Sequence, residues 1–299
     1  MRRPFLTAVI GSLLVPAAVA AQLLGPRDLD AMPSQPADAR VSYGSDPVQF
    51  GDLRLPSGSG PFPVAVVIHG GCWVSTFATL QNTSAFADAL REAGVATWNV
   101  EYRRVGNAGG GWPGTFLDIA AAADHLRVLA EEYPLDLSRV VAVGHSAGGH
   151  MALWLAARSR LPASSELYRE NPLPLLGAVA LGGPGDLRDF TTYAGSICGA
   201  PVIEQLLGGS PESVPERYAQ ASPVELLPFG VPQVLIVGTE DPTMPPRARD
   251  SYVTAATQAG DRAEVVAVPE AGHFEVVAPN TAAWSIVRDK VLSLVETDR

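Results

Sequence analysis

Residues 140–149 read Val140-Val-Ala-Val-Gly144-His-Ser146-Ala-Gly148-Gly149, and the placement of this stretch decides the fold. Val140–Val143 is a continuous apolar run without polar alternation, the pattern of a strand covered on both faces. Residues 147–158 have a helical composition. Between the two there is room only for a tight turn, and Gly144 and Gly148 allow it where larger side chains would clash. Ser146 stands at its apex. A helix that starts directly behind the serine favours negative charge developing near its hydroxyl. The bare Gly-x-Ser-x-Gly pattern occurs often by chance, but between a strand and a helix it is the setting of a nucleophile elbow.

The same rhythm continues outward from this turn. Residues 64–68 read as a buried strand, 95–100, 178–181, 234–237 and 263–268 as further strands, and 83–93, 116–132, 247–259 and 282–295 as helices. Residues 41–44 and 49–55 read as an opening hairpin. Alternating strands and helices predict an α/β fold: a mostly parallel sheet with helices on both faces and its site at the carboxyl ends of the strands. Residues 22–40, with Pro26, Pro33 and Pro36, are expected to form a loosely ordered lead-in to one domain spanning 41–299. Residues 184–232, rich in Pro and Gly, break the rhythm and predict a small cap-like insertion over the cleft.

A serine hydroxyl is a weak nucleophile; it needs a base, and the base needs an orienting acid. With a serine at such a turn, acid and base follow it in chain order. Only His150 and His273 come after Ser146. His150 falls one helical turn on and is expected to pack within the helix. His273, in Pro269-Glu-Ala-Gly-His-Phe just after the 263–268 strand, is the candidate base. The loop after 234–237 offers Glu240 and Asp241, of which Asp241 is the candidate acid and Glu240 the solvated neighbour; Asp186 is the fallback. The tetrahedral intermediate needs two N–H donors for its oxyanion. One is the amide of Ala147. The other comes from His69-Gly-Gly-Cys-Trp73, with Gly71 and Cys72 as candidates and His69 expected to brace the loop. Trp73, Tyr102, Trp112, His145, Phe190 and Tyr193 are candidate substrate-binding residues near strand ends. Arg103 and Arg104 are expected to be solvated or salt-bridged.

Taken together, His69-Gly-Gly-Cys-Trp73, Gly144-His-Ser-Ala-Gly-Gly149, Asp241 and Ala271-Gly-His273 resemble the α/β-hydrolase superfamily from about residue 45 to the end. Within it, His69–Trp73, Glu101-Tyr-Arg-Arg104 and Gly111-Trp-Pro-Gly114 resemble the carboxylesterase and kynurenine formamidase-like branch. The hormone-sensitive-lipase-like branch has a third glycine where this chain has Cys72. The resemblance implies an eight-stranded, mostly parallel sheet and a Ser-Asp-His triad. The expected activity is hydrolysis of a small-molecule carboxylic ester through an acyl-enzyme, with no cofactor. Alternatives are an amide hydrolase, arylformamidase-like or prolyl-oligopeptidase-like, and a non-catalytic binding protein on the same fold.

Residues 1–21 begin with Arg2 and Arg3, continue as a short apolar run and end in Ala18-Val-Ala-Ala21. This pattern predicts a secretory signal peptide. With no cysteine near its end it does not predict a lipoprotein anchor, so the expected destination is secreted or periplasmic, without stable membrane insertion. In an oxidising compartment the only two cysteines, Cys72 and Cys198, could pair, which sequence leaves open. The motifs and five histidines give no basis for expecting a zinc site. Asn82-Thr-Ser is a glycosylation sequon. Lysine occurs once, at Lys290 within a C-terminal helical pattern, which excludes Schiff-base, pyridoxal-phosphate and Walker-type chemistries. A formal net charge of −10 argues against nucleic acid as a partner.

Overall fold

In the computed structural model, which describes residues 23–199 and 201–296, an opening hairpin pairs β1 (Ala39–Ser42) with β2 (Phe50–Arg54). It joins a sheet completed by β3 (Phe62–Ile68), β4 (Ala96–Val100), β5 (Leu135–His145), β6 (Gly177–Leu181), β7 (Gln233–Gly238) and β8 (Ala263–Val268). The eight strands lie in the order β1-β2-β4-β3-β5-β6-β7-β8; β2 pairs antiparallel with β1 and β4, and the other pairings are parallel. The leader expected at 1–21 lies outside the described residues.

Alternation along the central strands feeds two apolar layers. Val64, Val66 and Ile68 of β3 share a cluster with Phe116 and Ile119 of α3 (Gly114–Asp124) and Met151 of α5 (Ala147–Ala157). Ala65 and Val67 point to the opposite face, with Phe86 and Leu90 of α2 (Ser84–Glu92) and Val287 and Val291 of α10 (Ala283–Val295). Each buried aliphatic side chain contributes about 1.5–3 kcal/mol on leaving water, so a strand apolar on both faces requires both helix layers. The remaining helices are α1 (Pro26–Asp30), α4 (Leu126–Glu132), α6 (Leu187–Thr191), α7 (Val202–Leu207), α8 (Pro215–Ala221) and α9 (Pro246–Gln258).

Three expectations are corrected. The lead-in is docked rather than loose from residue 23 onward: it contains α1, buries Leu29 in the core and delivers Ala39 directly into β1. The single helix expected over 116–132 breaks at His125, where ψ tightens to −18°. At the break Asp124 is drawn to Arg158 (2.5 and 2.9 Å) and to the Leu173 N–H (2.8 Å). Strand β5 starts at Leu135, earlier than its apolar run, because Leu135 pairs with Phe62 of β3. The 184–232 segment contains α6, α7 and α8. Phe190, Ile203, Leu206 and Tyr218 are buried and join the cluster of α3 and α5.

Register sets the position of the site. Ile68 pairs with Gly144 and His145 with Leu181, so the loops leaving β3, β5 and β6 emerge level with one another. Gly238 pairs with Val268, which sets the loop carrying Asp241 beside the loop carrying His273.

Candidate active site

The β5–α5 turn is closed so tightly that its glycines are obligatory. A Cβ at Gly144 would stand 2.0 Å from the Gly148 carbonyl oxygen, and one at Gly148 would stand 2.1 Å from that of Ile68. Ser146 takes φ 54° and ψ −120°, a conformation L-residues rarely adopt. Such a residue costs on the order of 1–3 kcal/mol, which the surrounding packing must offset. Its own N–H donates to the Leu181 carbonyl at 2.8 Å and its carbonyl accepts from the His150 N–H at 3.1 Å, which pins the turn between β6 and α5. Ala147 opens α5, so its N–H has no acceptor within the helix.

Asp241 and His273 are brought together. His273 Nδ1 lies 2.8 Å from Asp241 Oδ2, and the other carboxylate oxygen accepts from the Thr243 N–H and hydroxyl, each at 2.7 Å. Burial alone would raise the Asp241 pKa; the bonds from His273 and Thr243 outweigh it and the carboxyl is held low. With Nδ1 turned to the carboxylate, Nε2 of His273 is the ring nitrogen left for proton transfer. Gly182 lies against this pair: a Cβ there would approach Nδ1 of His273 to 3.0 Å and Oδ2 of Asp241 to 3.1 Å. Glu240 is exposed, and Asp186 caps α6 by accepting from the Arg188 and Asp189 N–H groups. Neither competes for the histidine.

Ser146 and His273 line one cleft of about 260 Å³, with Gly71 and Cys72 on its wall. Gly71, Cys72 and Trp73 have φ of 102°, 53° and 56°, so three consecutive residues curl the loop after β3. Gly70 passes close beneath Ser146: a Cβ there would meet the serine Cβ at 2.9 Å. The loop is held from below. His69, fully buried, sets one ring nitrogen 2.8 Å from the Gly70 carbonyl and the other 3.1 Å from Glu101. Glu101 also accepts from Arg104 (2.6 Å) and the Leu80 N–H (3.0 Å), and Arg104 donates to the Ala78 carbonyl. Burial would raise the Glu101 pKa, but His69, Arg104 and the Leu80 N–H together hold it down at about 2. Arg103 is bound by Asp118 at 2.6 and 2.8 Å. Both arginines of Glu101-Tyr-Arg-Arg104 are therefore committed to carboxylates.

Cys72 is bonded to Cys198, with 5.6 Å between their Cα atoms, across 126 residues of chain. The bond ties the oxyanion-loop candidate to the 184–232 segment, whose Ile197 lines the cleft.

Of the six expected substrate-binding residues, only His145 lines this cleft. Its Nε2 donates to the His273 carbonyl at 2.9 Å, and burial, with His273 nearby, lowers its pKa to about 3. The other five are corrections, because strand ends also supply core. Trp73 is 1% exposed, donates to His150 Nδ1 at 3.3 Å and packs edge-on against Phe190, which is also buried. Tyr102 is fully buried and donates to the His69 carbonyl at 2.8 Å. Trp112 packs against the core and donates to Glu166 at 2.5 Å, and Tyr193 packs on Phe190. His150 is a packing residue, as expected: it accepts from Trp73 and donates to the Ala221 carbonyl, and burial lowers its pKa to about 4.

Pro26, Phe77, Ala78, Ile197 and Phe274, with Thr243 and Asn82, line the cleft instead. Thr243 and Phe274 had a signal in sequence, since each lies within two residues of a candidate. The others come from remote segments and had none. Among the described lining residues there is no lysine or arginine. Among the described residues no group of three or more His, Cys, Asp or Glu is placed to hold a metal, and no helix is long and apolar enough to cross a membrane.

Comparison with known proteins gives the fold its context. The BD-FAE family model matches residues 52–254. No curated protein matches the chain. A truncated carbohydrate esterase from gut microbiota superposes with a TM-score of 0.74 at 21% identity, covering 88% of this chain and 99% of that one. An inhibited esterase B from Lactobacillus rhamnosis gives 0.75 at 18% identity, covering 91% of each chain. A propionate-bound thermophilic esterase from the planctomycete Thermogutta terrifontis gives 0.70 at 20% identity, covering 89% of this chain and 98% of that one. At these identities the likeness speaks to the fold, which is that of the α/β-hydrolases.

Proposed function

The chain belongs to the BD-FAE family, an α/β-hydrolase-type esterase family, and from that premise we propose that it is a serine hydrolase of small carboxylic esters. The observation that carries the reading is the Asp241–His273 pair, which shares one cleft with Ser146 at the apex of its turn.

Ser146 Oγ attacks the acyl carbon as His273 Nε2 takes its proton. The carbonyl oxygen becomes an oxyanion held by the N–H groups of Ala147 and of Gly71 or Cys72. Collapse breaks the bond to the alcohol, which leaves with the proton from His273. Water then gives a proton to His273 and attacks the acyl-serine, and the second collapse releases the acid as His273 returns that proton to Ser146 Oγ. Asp241 keeps Nδ1 of His273 protonated and stabilises the imidazolium that forms in each step.

The esterase neighbours support an ester over an amino-acid formamide as substrate. The two arginines of the Glu101–Arg104 segment are committed to Asp118 and Glu101, so neither is offered to a substrate carboxylate. We also read the protein as exported. The leader pattern at 1–21 supports this, and so does the Cys72–Cys198 disulfide, a bond that persists in oxidising compartments.

Ser146→Ala should lower turnover of p-nitrophenyl acetate by at least about 10⁴-fold. Retention of near-normal turnover would overturn the assignment. A higher kcat/KM on an aryl formamide than on the matching ester would replace the ester reading with the amide one.

A further inference from the structure

The docked lead-in reaches the cleft, and the bonds that hold it lead to the candidate base. Pro26 lines the cleft beside Asn82 and Phe274. Asn82 is 5% exposed, and its Nδ2 donates to the Pro26 carbonyl at 3.1 Å and to Asp30 Oδ1 at 3.2 Å. This amide, the acceptor nitrogen of the Asn82-Thr-Ser sequon, is therefore occupied in fixing the lead-in. Two residues before Pro26, the Leu24 N–H donates to Glu275 Oε1. The other oxygen of Glu275 accepts from the Gly272 N–H at 2.9 Å. Glu275 thus joins the lead-in to the turn that carries His273. Leu29, 2% exposed, anchors the segment in the core.

In the proposed hydrolysis the alcohol oxygen takes its proton from His273, so the leaving alcohol lies on the His273 side of the cleft. Resting on that reading, we propose that residues 23–30 form the wall of the leaving-alcohol site. Pro26 limits the bulk of the alcohol. Asn82 and Glu275 are positioning residues that hold the wall against the His273 turn. The acyl group, whose oxygen is bound at Gly71 or Cys72, is not bounded by this wall. Specificity for the alcohol is then set by a segment that precedes the first strand.

Two substitutions act in opposite senses on the intact chain. Pro26→Trp, at an exposed position, narrows the site. Asn82→Ala frees the Pro26 carbonyl and loosens it. Acetate esters graded from methyl to naphthyl, and p-nitrophenyl esters graded in acyl length, report the two sides separately. The kcat/KM ratio of bulky to small alcohol should fall about tenfold in Pro26→Trp and rise about threefold in Asn82→Ala, with the acyl ranking kept. An unchanged alcohol ranking in Pro26→Trp at native melting temperature would overturn the inference and leave ester hydrolysis standing. A shift confined to the acyl series would do the same. If Asn82→Ala does not fold, Pro26→Trp alone decides. No ester hydrolysis by the parent chain would overturn the proposed function and this inference with it.

Discussion

Gly182 has φ of +61°, and a methyl group there would crowd both His273 and Asp241. Gly182→Ala should displace the pair by a fraction of an ångström and lower kcat about tenfold or more, with KM little changed. Steady-state kinetics on a variant with native near-ultraviolet dichroism checks this; an unchanged kcat would mean that the pair does not act in turnover. Asp241→Asn keeps the shape and removes the charge that orients the imidazole, and should lower kcat by about 10³–10⁴-fold. At this scale the sequence was informative where chain order and local context coincide. Ser146, Asp241 and His273 each follow directly on a readable strand, and the structure brings Asp241 and His273 into contact and sets Ser146 and His273 in one cleft. It misled for Trp73 and Tyr102, because an aromatic at a strand end looks the same whether it faces a cleft or the core beneath.

Among the elements, the Cys72–Cys198 bond couples the loop after β3 to the segment between β6 and β7. Closing a loop of this length stabilises by about 4–5 kcal/mol in the chain-entropy view, though distortion often reduces the gain. The double substitution Cys72→Ser/Cys198→Ser should lower unfolding stability by about 2–5 kcal/mol in urea melts and bring it level with the reduced parent. Equal stability of the oxidised parent and the double variant would contradict a structural role for the bond. The succession of strands along the chain was readable from apolar runs bounded by turns, whereas their order in the sheet was not. The break at His125 was not, because residues 116–132 carry a continuous apolar face and the break tracks contacts to Arg158 and Leu173. The docking of the lead-in was hidden for a similar reason: Pro26, Pro33 and Pro36 suggest a loose chain, whereas Leu29, Asn82 and Glu275 fix it through distant partners.

For the molecule as a whole, two buried histidines and Glu101 make stability fall on the acid side. Burial holds His145 and His150 neutral, with pKa lowered to about 3 and about 4. Below pH 6.5 the unfolded chain binds protons at these positions that the folded chain refuses, so stability falls as pH drops toward 4. Glu101, held at about 2, is depressed relative to the unfolded chain, so its contribution is present above pH 4.5 and is lost as pH falls toward 2. Each histidine adds a slope of up to about 1.4 kcal/mol per pH unit within its window. Urea melts between pH 7 and 4 should show this decline, and His150→Gln, which cannot take up a proton, should flatten it. An equal slope in parent and variant would contradict neutral burial of His150. None of this was visible in composition. The net charge of −10 and the single lysine bear on partners and mechanisms, but only the packing identifies which titratable groups are buried.

The central claim is that Ser146 is the nucleophile, and trapping tests it most directly. A fluorophosphonate ester should stop hydrolysis at one equivalent per chain, and peptide mass analysis should place the adduct on Ser146, with none formed by Ser146→Ala. Continued ester hydrolysis by a chain that takes up no label, or an adduct on another residue that accounts for the inhibition, would contradict it.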